Sequence, residues 1–123
     1  MRFAEQLSQS NLTKTHVCLS LRLCPELFWF KGHFPQLAIL PGVTQLAWVM
    51  DYAKEILGLN YPFLGFEFVK FQMPLQPNDI IELTLDWDNL SQKLSFQYKR
   101  GSQIASKGRI KLDNSVDSYM ELK

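Results

Sequence analysis

His33 lies in the run Phe30-Lys31-Gly32-His33-Phe34-Pro35-Gln36, and after Leu37 to Leu40 the chain enters a helical pattern through Pro41-Gly42-Val43. An imidazole titrates near working pH, so it can take up or release a proton there. The start of a helix offers unpaired backbone N–H groups and the positive end of the helix dipole, and so steadies developing negative charge. Gly42, lacking a side chain, would let a ligand approach that main chain closely. A base and an anion-stabilising helix start, a few residues apart, suit proton abstraction beside a carbonyl group. A loop histidine with a purely structural hydrogen bond is the alternative for His33.

These groups must be positioned by the elements around them. From about Val43 to Leu57, the residues Val43, Leu46, Val49, Met50, Ala53, Ile56 and Leu57 recur at helical spacing, and Trp48 and Tyr52 widen the stripe, so the helix is expected to be buried nearly all round. Pro41 suits the approach to the first turn, and Gly58 supplies a stop. Before the helix, His16 to Cys24 alternates like a half-buried strand. After it come a strand with Leu64, Phe66 and Phe68, a second over Asp79 to Asp88, and turns at Asn89-Leu90-Ser91 and Arg100-Gly101-Ser102 that make the last three strands a meander. One strand, one long helix and then an antiparallel run is an α+β pattern, best satisfied by a curved sheet wrapped around the helix. Residues 1–14 are expected to be a short helix or loosely held arm, 15–113 the domain, and 114–123 a flexible polar tail.

The composition fits one domain with a real core: 46% of the 123 residues are hydrophobic and 13% aromatic. A formal charge of +1 gives no reason to expect nucleic acid or a membrane surface as partner. No apolar run opens the chain, so neither a signal peptide nor a membrane span is expected, and the cytoplasm is the default compartment. Cys18 and Cys24, with only His16 and His33 besides, make no structural zinc set and are expected to be small buried or half-buried thiols. His16, on the polar side of its strand, is expected to be an ordinary surface residue.

In residue order, the Gly32-His33-Phe34 segment followed by Pro41-Gly42 and a long helix resembles the 3-hydroxyacyl-acyl-carrier-protein dehydratases of fatty-acid synthesis. Gln45, Leu46 and Trp48 look closer still to the dehydratase-like proteins of aryl-polyene clusters, and Lys70 to Asp79 is similar to the family's passage between post-helix strands. The resemblance covers roughly residues 15 to 113. It implies a hotdog fold, a homodimer or higher homo-oligomer with sites shared across an interface, and a 3-hydroxyacyl thioester carried on the phosphopantetheine of an acyl carrier protein, or an acyl-CoA thioester. No cofactor or metal of the protein's own is implied. His33 would take the C2 proton and Gly42 would hold the thioester oxygen, with Phe34, Pro41, Val43, Gln45, Ala47 and Trp48 around the substrate. Phe34 and Trp48 could equally be core residues. Where the family's helix carries a catalytic Glu or Asp, five residues after the glycine, this chain has Ala47. Asp51, one turn further on, is a candidate substitute acid, a base for slow thioester hydrolysis, or simply a solvated residue. The chain is therefore expected to be a dehydratase-like hydro-lyase, or else a non-catalytic acyl-thioester-binding or weak thioesterase protein of the same fold. Arg100, Arg109 and Lys111, in a stretch from Lys99 to Lys111 without acidic residues, are candidates to receive an acidic carrier protein, or are ordinary solubility charges.

Overall fold

Inward-facing side chains alternate along four strands of a six-stranded antiparallel sheet, which closes over one face of a long helix. The structure, a computed structural model, describes residues 3–30 and 38–115, apart from the side chain of Trp29. In chain order it contains β1 (Glu5–Asn11), β2 (His16–Arg22), a 3-10 turn (Phe28–Phe30), α1 (Gly42–Leu57), β3 (Phe63–Phe71), β4 (Ile80–Asp88), β5 (Lys93–Arg100) and β6 (Gln103–Leu112). The strands form one sheet in the order β1-β2-β4-β5-β6-β3, every neighbour antiparallel. This is the hotdog arrangement implied by the resemblance, and β4-β5-β6 is the expected meander.

Periodicity explains the layering. In β2, Val17, Leu19 and Leu21 are buried while His16, Cys18, Ser20 and Arg22 are half-buried. In β4, Ile81, Leu83, Leu85 and Trp87 point inward, and β5 contributes Leu94, Phe96 and Tyr98. Each fully buried aliphatic side chain contributes roughly 1.5–3 kcal/mol relative to exposure. Cys18 is half-buried and Cys24 buried, both as free thiols. Gly58 ends α1 with φ 68°, a left-handed position that costs glycine nothing, and its N–H bonds the carbonyl of Ala53.

Two expectations need correction. Residues 5–11 are neither helix nor loose arm: they pair with β2 as an edge strand, whose polar, wholly exposed side chains gave no apolar pattern to read. The helix is not buried all round. Its buried face is Thr44, Gln45, Trp48, Val49, Tyr52 and Ala53, while Val43 is 77% exposed and Ala47 and Asp51 are exposed. The Asn114 side-chain amide donates to Asn89, and residues 116–123 of the expected tail lie outside the described residues.

The two sheet edges differ in kind. β1 is polar, as edge strands that avoid pairing tend to be. β3, at the opposite edge, leaves Phe63, Leu64, Phe66 and Phe71 about half exposed.

Two tyrosines under the sheet give the fold a pH signature. Burial, helped by Glu55 and Asp51, pushes the Tyr52 phenol up to about 12, and burial followed by the nearby Tyr52 raises Tyr98 well above its ordinary value. An unfolded chain ionises its tyrosines near pH 10 while the folded chain still holds the protons. Stability is therefore fully present below about pH 10 and falls above it, Tyr52 alone accounting for a loss of about 2 kcal/mol by pH 12. Urea denaturation between pH 8 and roughly pH 11 is expected to show this decline, and Tyr52→Phe should make it shallower.

Candidate active site

Helix α1 begins without a side-chain cap. Pro41 occupies the N-cap position, where Ser, Thr or Asp would normally bond the first amides, and it makes no such bond. The N–H groups of Thr44 and Gln45 both turn back to the Pro41 carbonyl, at 3.1 Å each. Among the described residues the N–H groups of Gly42 and Val43 have no partner. Two donors at the positive end of a helix dipole are what a carbonyl oxygen gaining negative charge requires.

These donors lie at a cavity of about 570 Å³, lined by Ile39, Leu40, Gly42, Val43, Gln45 and the segment Phe71–Pro74. The lining is largely apolar, as suits an acyl chain. The place a Gly42 side chain would occupy is not open: an ideal Cβ there would lie 2.7 Å from the tip of the Phe71 ring. A side chain at this position would have to push aside an aromatic ring that is 53% exposed and free to give, so the glycine lets Phe71 rest against the helix start.

Beneath the cavity a buried polar network holds the turn into the helix. Gln45, only 3% exposed, accepts from the Ser106 hydroxyl at 2.7 Å and donates to the Leu40 carbonyl at 3.2 Å, while the Tyr98 hydroxyl donates to its backbone carbonyl at 2.6 Å. The Leu40 N–H bonds the Leu75 carbonyl at 2.8 Å. A buried amide without such partners would cost on the order of 1–3 kcal/mol.

The structure thus gathers Gly42, Val43 and Gln45 at one cavity, with Pro41 at its edge. His33 and Phe34 lie outside the described residues. Trp48 belongs to the core, 2% exposed, where the Phe3 ring stacks on it at 6.2 Å. Asp51 is exposed and lines a different groove, with Lys54, Asn60 and Tyr61. It stands nine residues beyond Gly42, about 13 Å along the helix axis, so within one chain it cannot reach a group held at the helix start. Ala47 is exposed about 7.5 Å along the same axis. Sequence reasoning missed Phe71, Ser106 and Tyr98; the signal was the inward register of Tyr98 and Ser106, directly opposite each other on β5 and β6.

The candidate carrier-binding residues do not form one patch. Arg100, paired in register with Gln103, sits at one end of the β5–β6 hairpin, and Lys111, paired with Lys93, at the other. Arg100 bonds Asp79 at 3.0 Å and reaches the Met73 sulfur at 3.2 Å, which brings it beside the cavity wall. Arg109 is held by Glu67 at 3.3 Å and lies over the Phe68 ring. Hydrogen bonds from Lys93 and Arg109 depress the Glu67 carboxyl below its usual range. Lys111 is exposed on the outer face. Among the described residues no three His, Cys, Asp or Glu side chains gather as metal ligands, and no helix is long and apolar enough to cross a membrane.

Comparison with known proteins agrees with this picture. Residues 8–109 match a family model described as ApeI-like, ApeI dehydratase. A solved structure described as the dehydratase heterocomplex ApeI:P from Xenorhabdus doucetiae contains a chain 40% identical, superposing with a TM-score of 0.84 over 89% of this chain and 96% of that one. The 3-hydroxyacyl-acyl-carrier-protein dehydratase FabZ of Chlamydia caviae is 33% identical over 94 residues, 67% of this chain and 61% of that protein. The chain thus spans about three fifths of the length of that curated relative. Thioesterase superfamily member 2 from Mus musculus, 12% identical with a TM-score of 0.65 over 85% of this chain and 80% of its own, shares the fold.

Proposed function

This chain belongs to the ApeI-like dehydratase family, and from that premise we propose that it is a hydro-lyase removing water from a 3-hydroxyacyl thioester delivered on the phosphopantetheine arm of an acyl carrier protein. The observation that carries the reading is the pair of unpartnered N–H groups at Gly42 and Val43, opening on a mostly apolar cavity. His33 takes a proton from C2, and the electron pair moves into the thioester carbonyl, whose oxygen is held by the two amides. The C3–O bond then breaks as the electrons return to form the C2–C3 double bond, and the hydroxyl leaves as water. With Ala47 where the family places a carboxyl group, the proton that leaves with the hydroxyl is the one His33 has just taken up. A single shuttling group in place of two makes the enzyme slow.

Incubating the protein with a 3-hydroxyacyl-pantetheine thioester and following product mass tests the reading. Loss of water to the 2-enoyl thioester is expected. Release of a free 3-hydroxy acid would instead favour the thioesterase alternative, and an unchanged thioester that nonetheless binds would favour a binding protein.

Assembly is part of the proposal. The aromatic segment from Leu27 to Phe30 offers little surface for this, since Leu27 and Phe30 are buried and only Phe28, of the side chains described there, is exposed. The half-exposed Phe63, Leu64, Phe66 and Phe71 of the β3 edge supply the surface that calls for a partner. The description of the Xenorhabdus doucetiae relative as a heterocomplex supports assembly as a feature of the family. Light scattering at micromolar concentration is expected to give at least twice the 14.3 kDa chain mass, and a stable 14.3 kDa species would rule the assembly out.

A further inference from the structure

We infer that Gln45 and Ser106 are positioning residues, which fasten the turn before α1 from the core side so that the amides of Gly42 and Val43 remain free for a thioester carbonyl. The inference rests on the proposal that this helix start receives the carbonyl.

A helix usually secures its first turn with a side-chain oxygen that bonds the leading N–H groups. That solution would consume the donors the site needs. Here Pro41 offers no such oxygen, and the turn is held through other groups: the Leu40 carbonyl by the Gln45 amide at 3.2 Å and the Leu40 N–H by the Leu75 carbonyl at 2.8 Å. The amide of Gln45 is oriented in turn by the Ser106 hydroxyl at 2.7 Å. Nothing in this set spends the Gly42 or Val43 N–H.

The opposite cavity wall is tied to the same place. The register of β5 against β6 slips between Tyr98 and Lys99, so that Ala105 is an extra, unpaired residue immediately before Ser106. The freed Ala105 carbonyl accepts from the N–H groups of Gln72, at 2.8 Å, and Met73, at 3.1 Å, both of which line the cavity. One bulge in β6 therefore anchors both walls: residues 72–73 through the Ala105 backbone, and the helix start through the Ser106 hydroxyl and Gln45. A buried glutamine serving packing alone would be more cheaply replaced by an apolar side chain of similar shape, since its amide must be desolvated and then satisfied.

The test separates a structural role from a positioning one. In the double variant Gln45→Met/Ser106→Ala both ends of the side-chain bond become apolar, so the loss is confined to the Leu40 carbonyl left without its side-chain donor, about 1–3 kcal/mol. A saturated acyl-pantetheine thioester labelled with carbon-13 at its carbonyl is bound to wild type, to the double variant, to Ser106→Ala, and to Ser106→Thr, which retains the hydroxyl. Wild type and Ser106→Thr are expected to shift the carbonyl resonance downfield. The double variant should bind within roughly threefold of wild type yet lose that shift, with kcat falling about 10²-fold and KM little changed, the scale of a lost oxyanion donor. Should the double variant fail to fold, Ser106→Ala is read in the same way, with a weakened shift expected. An undiminished shift and kcat in a folded variant, or no shift in wild type, would overturn the inference. A wild type that shifts the carbonyl but forms no enoyl product would instead remove the dehydratase reading and leave the positioning role standing.

Discussion

Replacing His33 by alanine is expected to lower turnover of a 3-hydroxyacyl thioester by about 10²–10⁴-fold, the range for loss of a general acid–base group, while folding and thioester binding survive. The effect should fall at the upper end of that range, because with Ala47 in place of a carboxyl group the first acidic residue of the helix is Asp51, about 13 Å along the axis from Gly42 and too far to take over. The described hydrophobic core is assembled from the sheet, α1 and their flanking turns without His33, so a cooperative thermal transition near that of wild type should accompany the loss. Initial rates of enoyl formation, read beside the melting curve and the dissociation constant of a saturated thioester, make the comparison. A drop of less than about threefold, far below the span for such a group, would remove His33 from the mechanism.

The second large effect has the opposite sign. Ala47→Glu is expected to raise the dehydration rate by at least about tenfold, because a positioned acid typically contributes 10²–10⁴-fold and part of that is lost to imperfect placement. The substitution is tolerable on structural grounds: Ala47 is exposed in the middle of α1, and glutamate is a good helix former. The new side chain would project from the stripe shared with Val43, about 7.5 Å along the axis from Gly42, within reach of a glutamate leaning towards the helix start. Asp51→Asn serves as the control. Lying about 13 Å from Gly42 and in another groove, that carboxyl should leave the rate within about twofold of wild type. An Ala47→Glu protein that folds but gains no rate would show that the proton reaches the hydroxyl by another route.

Much of this architecture was legible in the sequence because it rests on strong periodic signals. The meander was readable from clean alternation in β4 and from two polar turns, and the helix limits from Pro41 and Gly58. What escaped was set by tertiary context. β1 carries no apolar pattern because it is an edge strand exposed along its whole length, and only pairing with β2 reveals it. The buried face of α1 was misjudged because hydrophobicity alone favoured Val43 over Gln45. The fold inverts that ranking: Ser106 and Tyr98, far away in sequence, satisfy the glutamine and make its burial affordable. Phe71 fell in the Lys70 to Asp79 passage read as lying between strands, and neither its place at the end of β3 nor its rest against Gly42 was legible, since both depend on where the β3 edge ends relative to the helix start. The helix start itself was legible, and it carries the proposal.

The central claim is that His33 handles the C2 proton of a thioester held at the start of α1. Running the reaction in reverse tests it most directly: a 2-enoyl-pantetheine thioester is hydrated in deuterium oxide, and deuterium at C2 of the 3-hydroxyacyl product is followed by NMR with wild type, His33→Ala and no protein. The account predicts steady deuterium incorporation at C2 with wild type and only the protein-free background with His33→Ala. Incorporation at the same rate with both proteins, or background alone with wild type, would contradict it.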